Sequence, residues 1–171
     1  EISRQEIEES LKYSDFRRYA RGDYILRIGE YCRFIGFLNK GFIVTTTVDD
    51  TGNEKASEFK FEGCFFTYTE GLSENTPSHK NFIAIEDCEA LVLNKEYLPL
   101  IFKTNPKFET LFSQILAEEL RLVLLNEQNR KMLSVEERYL AHGNAYPRVL
   151  QRIHLKYISG YPGIDAPSLS N

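Results

Sequence analysis

Seven glycines, Gly22, Gly29, Gly36, Gly41, Gly52, Gly63 and Gly71, punctuate the first hundred residues, and only short runs rich in aromatic and β-branched side chains lie between them. This is the spacing of an all-β segment. Strands are expected near Phe16–Tyr19, Tyr24–Arg27, Phe34–Asn39, Phe42–Val48, Lys55–Phe61, Phe65–Tyr68, Phe82–Ile85 and Cys88–Leu93. The sharpest local signal is Asp49-Asp50-Thr51-Gly52-Asn53 between two such runs, where glycine and Asx residues supply the positive φ of a hairpin turn. Many short strands without repeated helices predict a closed roll or sandwich rather than a parallel sheet.

After Leu93 the pattern changes. Glu96 to Phe102 can form a short helix, and Asn105-Pro106 then opens a long one, asparagine as N-cap and proline at the first position, where its missing N–H costs nothing. From Lys107 to Met132 there is neither glycine nor proline, and the apolar positions cover more than one face. Two readings stand: one face packs on the roll while another meets a second chain, or the helix is buried within one subunit. Ser134-Val135-Glu136-Glu137 caps a further helix that stops at Gly143-Asn144, and Pro147 to Ile158 restarts the helical pattern. Gly160-Tyr161-Pro162-Gly163 breaks it, and Asp165 to Asn171 reads as a cap and first turn that stops.

With 171 residues, 42% of them apolar and 27% charged, the chain can bury one sizeable core or two small ones, which excludes disorder, collagen and a disulfide miniprotein. The net charge of −4 is unevenly spread: residues 126–171 hold +2, leaving −6 for residues 1–125, and Tyr139 to Lys156 contains no acid. Such asymmetry suggests that one end handles an anion. No apolar run is long enough to cross a membrane, and Glu1-Ile2-Ser3-Arg4-Gln5-Glu6 lacks the features of a secretory signal. Cys32, Cys64 and Cys88 are an odd, widely spaced trio, expected as small buried hydrophobes in a reducing cytoplasm.

Catalysis finds little support. His79, His142 and His154 are far apart, and there is no His-Glu-x-x-His, Cys-x-x-Cys or Gly-x-Ser-x-Gly to supply a metal or a nucleophile. No enzyme activity, catalytic residue, metal or cofactor is expected. What carries meaning is a helix, a glycine-containing turn and a second helix at the C-terminal end, joined by an acid-free stretch of cations. That geometry lets a second helix enter a DNA major groove while neighbouring cations meet phosphates; a solvated helical hairpin gives the same pattern.

The residues themselves resemble a family. Arg21-Gly22-Asp23-Tyr24-Ile25-Leu26 with Ile28-Gly29-Glu30, Asn39-Lys40-Gly41-Phe42-Ile43, Phe61-Glu62-Gly63-Cys64-Phe65 and Ala84-Ile85-Glu86-Asp87-Cys88-Glu89 resemble the glycine turns and ligand-cassette flanks of a cyclic-nucleotide-binding-like domain. Leu133 to Tyr139, Pro147, Tyr157 to Ile164 and Ser168-Leu169-Ser170 resemble the helix-turn-helix signature of the Crp/Fnr bacterial transcription regulators, especially the short members common in Bacteroidetes. The resemblance implies an α+β chain: a β-roll (double-stranded β-helix or jelly roll) sensor over 1–104, a dimerisation helix over 105–132, and an incomplete C-terminal winged helix-turn-helix over 133–171.

It further implies a cytoplasmic, effector-responsive homodimer on an inverted-repeat operator, a role that brings a contact with RNA polymerase within reach. Glu62, Gly63, Ser78, His79 and Lys80 would face a small-molecule effector; the alternative for Ser78, His79 and Lys80 is a solvated loop, with a pocket that binds nothing. Arg148, Arg152 and Lys156 would meet phosphates, and Ser168, Ser170 and Asn171 would begin the reading helix; the alternative for the cations is a solvated face. Two departures matter. The stretch Thr76-Pro77-Ser78-His79-Lys80-Asn81 lacks the arginine with which cyclic-nucleotide binders hold phosphate, so cyclic AMP is expected to bind weakly or not at all. Gly160 and Pro162 stand where the family has alanine and leucine, weakening that helix, and Asn171 stands in place of an arginine. The competing function is a signalling or interaction module that no longer reads DNA.

Overall fold

The computed structural model describes residues 3–132. In chain order these form α1 (Arg4–Leu11), β1 (Ser14–Tyr19), β2 (Tyr24–Leu26), β3 (Phe34–Lys40), β4 (Phe42–Val48), β5 (Glu54–Phe61), β6 (Phe65–Phe66), α2 (Thr69–Glu74), β7 (Asn81–Ala84) and β8 (Cys88–Asn94). A 3₁₀ turn over Lys95–Tyr97 leads into α3 (Leu98–Thr104) and then α4 (Pro106–Met132). The strands make two four-stranded antiparallel sheets, ordered β1-β8-β3-β6 and β2-β7-β4-β5, so the expected roll is present.

Both sheets contribute to one core. Leu38, Phe66, Ala90 and Val92 from the first meet Ile43, Phe82 and Ala84 from the second, all of them buried. Gly36 on β3 is what lets Phe66 lie flat there, because a Cβ at that position would overlap the ring. At the expected β4–β5 hairpin, the Asp49 carboxylate accepts from the Thr51 and Asn53 N–H groups, while Gly52 takes the positive φ of 84°.

Three local expectations change. Of the Phe65–Tyr68 run only Phe65 and Phe66 pair with β3; the Thr67 hydroxyl turns back to donate to the Phe34 carbonyl (2.7 Å) and Tyr68 becomes the N-cap of α2. Helix α1 was not expected; its signal was Ser3-Arg4-Gln5-Glu6, a capping box in which the Ser3 N–H donates to Glu6 (2.6 Å) and the Glu6 N–H donates to the Ser3 hydroxyl (3.3 Å). Cys32 and Cys88 are buried as small hydrophobes, but Cys64, at the start of the short β6 edge, is only half-buried.

Helix α4 starts as its sequence requires, with the Asn105 side chain accepting from the Lys107 N–H (3.1 Å) and Pro106 at the first position. Phe108, Phe112, Ile115 and Leu116 are half-buried, and Phe112 stacks at a tilt on Phe102 of α3 with ring centroids 5.8 Å apart. Leu111, Leu120, Leu124 and Leu125 are exposed, so the helix carries apolar residues on more than one side.

Candidate effector site

The register of β4 decides what enters the roll. Ile43 lies opposite Lys60 on β5 and Ala84 on β7, and Thr45 lies opposite Glu58 and Phe82. Because Ile43, Phe82 and Ala84 belong to the inter-sheet core, Glu58 and Lys60 share that inward face. Lys80, two residues before Phe82, points the same way. Val44, Ala56 and Ile83, with Phe59 and Ile85, form a second cluster on the opposite face of the sheet.

Three charges therefore converge inside the roll. The Lys80 ammonium donates to Glu58 at 2.7 Å, and that of Lys60 stands 3.6 Å from the other carboxylate oxygen. Burial alone would raise the Glu58 pKa, but the two lysines outweigh it and hold the carboxyl below its ordinary range. Next to these charges along the strands, a bulge places Ser57 as an extra residue on β5, and its side chain meets the fully buried Thr45 hydroxyl at 2.8 Å, while the Thr45 hydroxyl lies 3.4 Å from the Glu58 carbonyl and the Ser57 hydroxyl 3.3 Å from the Thr45 carbonyl. Beside it, Asn81 donates to Glu54 (3.0 Å) and accepts from the Ile28 N–H (2.8 Å), tying β7 to both the β5 edge and the Ile28-Gly29 turn.

The expected effector residues fall into two groups. Ser78 is buried, and its polar atoms are engaged within the chain: its N–H donates to the Glu30 carbonyl (2.8 Å), its carbonyl accepts from Gly29 (2.7 Å), and its hydroxyl donates to the Lys80 carbonyl (2.7 Å) while accepting from the Lys80 N–H (3.1 Å). The exposed His79 ring meets the buried Tyr68 through Nδ1 and the phenol oxygen, 2.6 Å apart. Lys80 is the member that reaches the interior. Glu62 and Gly63 lie in the turn that follows β5, beyond its end at Phe61. There the Glu62 carboxylate accepts from the Gly41 N–H (3.0 Å) and the Gly63 N–H donates to Leu38 (2.8 Å), holding the β3–β4 turn. Sequence reasoning did not find Glu58, Lys60, Thr45 or Ser57.

The cyclic nucleotide-binding domain family matches residues 16–105. The chain belongs to that family. No curated protein matches it. Among solved structures, it is similar to the c-di-GMP responsive global regulator CLP of Xanthomonas campestris, with a TM-score of 0.76 and 17% identity over 97% of this chain and 87% of that one. It is also similar to FixK2 of Bradyrhizobium japonicum (TM-score 0.76, 14% identity, 92% and 81% covered) and to the catabolite activator protein of Thermus thermophilus (TM-score 0.65, 20% identity, 99% and 81% covered). These are regulators of the Crp/Fnr type, and a protein kinase regulatory subunit from Trypanosoma brucei has a similar fold (TM-score 0.55, 19% identity, 71% and 45% covered).

The interior of this cyclic nucleotide-binding domain carries Glu58, Lys60 and Lys80, and in the segment after α2 the polar groups of Ser78 and the Lys80 ammonium are bound to the chain itself. Among the described residues no three His, Cys, Asp or Glu side chains are placed to hold a metal, and no helix is long and apolar enough to cross a membrane. Arg148, Arg152, Lys156, Ser168, Ser170 and Asn171 lie outside the described residues.

Proposed function

We propose that the chain is an effector-responsive, DNA-binding transcription regulator of the Crp/Fnr type, of the short kind common in Bacteroidetes, that dimerises through α4 and is not controlled by cyclic AMP. The observation that carries this reading is the passage of the roll through α3 and the Asn105 cap straight into a helix of 27 residues whose outer leucines are exposed. A sensor domain feeding such a helix is built to couple its interior to a second copy, each helix meeting its symmetry mate in an isologous contact. Leu125→Lys should accordingly convert dimers to monomers in sedimentation; a wild-type chain that sediments as a monomer at micromolar concentration removes the contact.

Independence from cyclic AMP follows from the chemistry of the interior. A phosphate diester needs a donor fork or an uncompensated cation, and the matching segment offers Lys80, already paired with Glu58, and Ser78, already closed on Lys80. Calorimetry at millimolar cyclic AMP should show no binding, and micromolar affinity overturns this point.

The DNA-binding step is assigned to the C-terminal segment. Arg148, Arg152 and Lys156 would contact phosphates, Ser168, Ser170 and Asn171 would open the reading helix, and two copies would span half-sites about 34 Å apart. A DNA titration of the full chain across a salt series tests it: log K should fall linearly with log salt, and Arg152→Ala should flatten the slope by about one unit while weakening all sequences alike. Affinity indifferent to salt returns the chain to the role of a signalling module.

A further inference from the structure

We propose that Glu58 sets what the roll interior accepts: its carboxylate occupies, between Lys60 and Lys80, the place that a phosphate-bearing ligand would take, and so excludes such ligands. The inference rests on reading the roll interior as the effector site. Strand register puts all three charges on the inward face with Ile43, Phe82 and Ala84, and the Lys80 ammonium makes a 2.7 Å charge-assisted contact with Glu58.

The surroundings are those of an anion site. Two ammonium groups flank one carboxylate, and the Ser78 hydroxyl holds the Lys80 backbone through its N–H and carbonyl. Carboxylate and phosphate oxygens accept the same donors. A phosphate entering here would have to displace Glu58 from both lysines or sit beside a like charge, and either loses what the site has to give. With Glu58 uncharged, the two lysines present two cations to an incoming anion.

The test is isothermal calorimetry on the full chain with inorganic phosphate and with cyclic AMP, for wild type, Glu58→Gln and Glu58→Asp. Wild type should bind neither at millimolar concentration. Glu58→Gln should bind phosphate on the order of tenfold more tightly, and Lys80→Gln added to it should abolish the gain. Glu58→Asp keeps the charge but withdraws it by one methylene, so it should fold as wild type and show a smaller gain. Variants that bind phosphate no better than wild type, or a gain that survives Lys80→Gln, overturn the inference and leave independence from cyclic AMP standing. Micromolar cyclic AMP binding by wild type overturns that independence and the exclusion together.

Discussion

The two sheets of the roll have four strands each and face the same interior, yet they furnish it differently. The β1-β8-β3-β6 sheet sends in Leu38, Phe66, Ala90 and Val92, and nothing charged among them. The β2-β7-β4-β5 sheet begins the same way with Ile43 and Ala84, then places Thr45, Glu58, Lys60 and Lys80 on that face. Apolar burial is non-directional and proportional to area, so the first sheet secures the fold; a half-buried ion cluster adds little net stability, so the charges of the second sheet do little to hold the roll together.

The division breaks most severely on the apolar side. Phe66 is 1% exposed, packs edge-on against Phe34 with centroids 5.9 Å apart, and lies over Gly36. Phe66→Ala removes this packing from the middle of the core and should lower the unfolding free energy by about 4 kcal/mol. Because a domain of this size is stable by only about 5–15 kcal/mol, urea denaturation should find the variant close to unfolding. A loss below about 1 kcal/mol would mean that the inter-sheet core collapses around the gap and that the first sheet does not anchor the roll.

On the charged side the expected effect is smaller and depends on pH. Lys80→Met leaves Glu58 to Lys60 alone. Losing one partner of a fully buried pair costs about 3–5 kcal/mol, but Glu58 keeps about a third of its side chain in water and retains Lys60, so about 1–2 kcal/mol is expected at neutral pH. The sign follows from the depressed pKa of Glu58: its contribution is complete above the ordinary value of 4.5 and is lost as pH falls through its lower folded value. The gap between wild type and variant in urea midpoints should therefore close in acid. A gap of constant size down to the acid limb would mean that Lys80 stabilises through its alkyl chain rather than through Glu58.

Much of this fold was legible in the sequence, because turn glycines, β-branched runs and the Asn105-Pro106 start each act locally. The site was less legible. In Glu54-Lys55-Ala56-Ser57-Glu58-Phe59-Lys60-Phe61 the alternation is plain, and the simplest reading puts Phe59 and Phe61 inward. Instead Phe59 packs on Val44 and Ile83 on the opposite face, since β4 is buried on both sides, and the charged residues take the interior. Period-two patterning reports that two faces differ without saying which is inside, and the Ser57 bulge shifts the phase midway. Glu62 and Gly63 are expected at the effector because they flank the cassette in sequence, and in the structure the Glu62 carboxylate accepts from the Gly41 N–H.

The smallest effect is expected outside the roll, where a second carboxylate sharpens the contrast. Glu6 accepts from the Ser3 N–H at 2.6 Å, from the Asn105 side chain at 2.6 Å and from the Lys107 ammonium at 3.0 Å, so it ties α1 to the start of α4. Its pKa falls from the ordinary 4.5 to about 2, first because of the Ser3 backbone N–H and then because of Lys107. Glu58 is held ionised against burial by two cations, whereas Glu6 meets little desolvation and is drawn down mostly by hydrogen bonds. Its contribution to stability is complete above pH 4.5 and disappears as pH falls toward 2, a window that carboxyl-carbon NMR titration can follow residue by residue. Lys107→Gln should raise the Glu6 pKa only part of the way to 4.5, because the Ser3 N–H remains, and should leave Glu58 unmoved. Salt should act in the same order: at about 1 M the exposed Lys107 share of the Glu6 shift is screened, while the Glu58 pair, whose lysine is less exposed, keeps more of its own. If Glu6 titrates near 4.5 in the wild-type chain, the tie between α1 and α4 does not hold in solution, and the start of α4 is free to move relative to the roll it leaves.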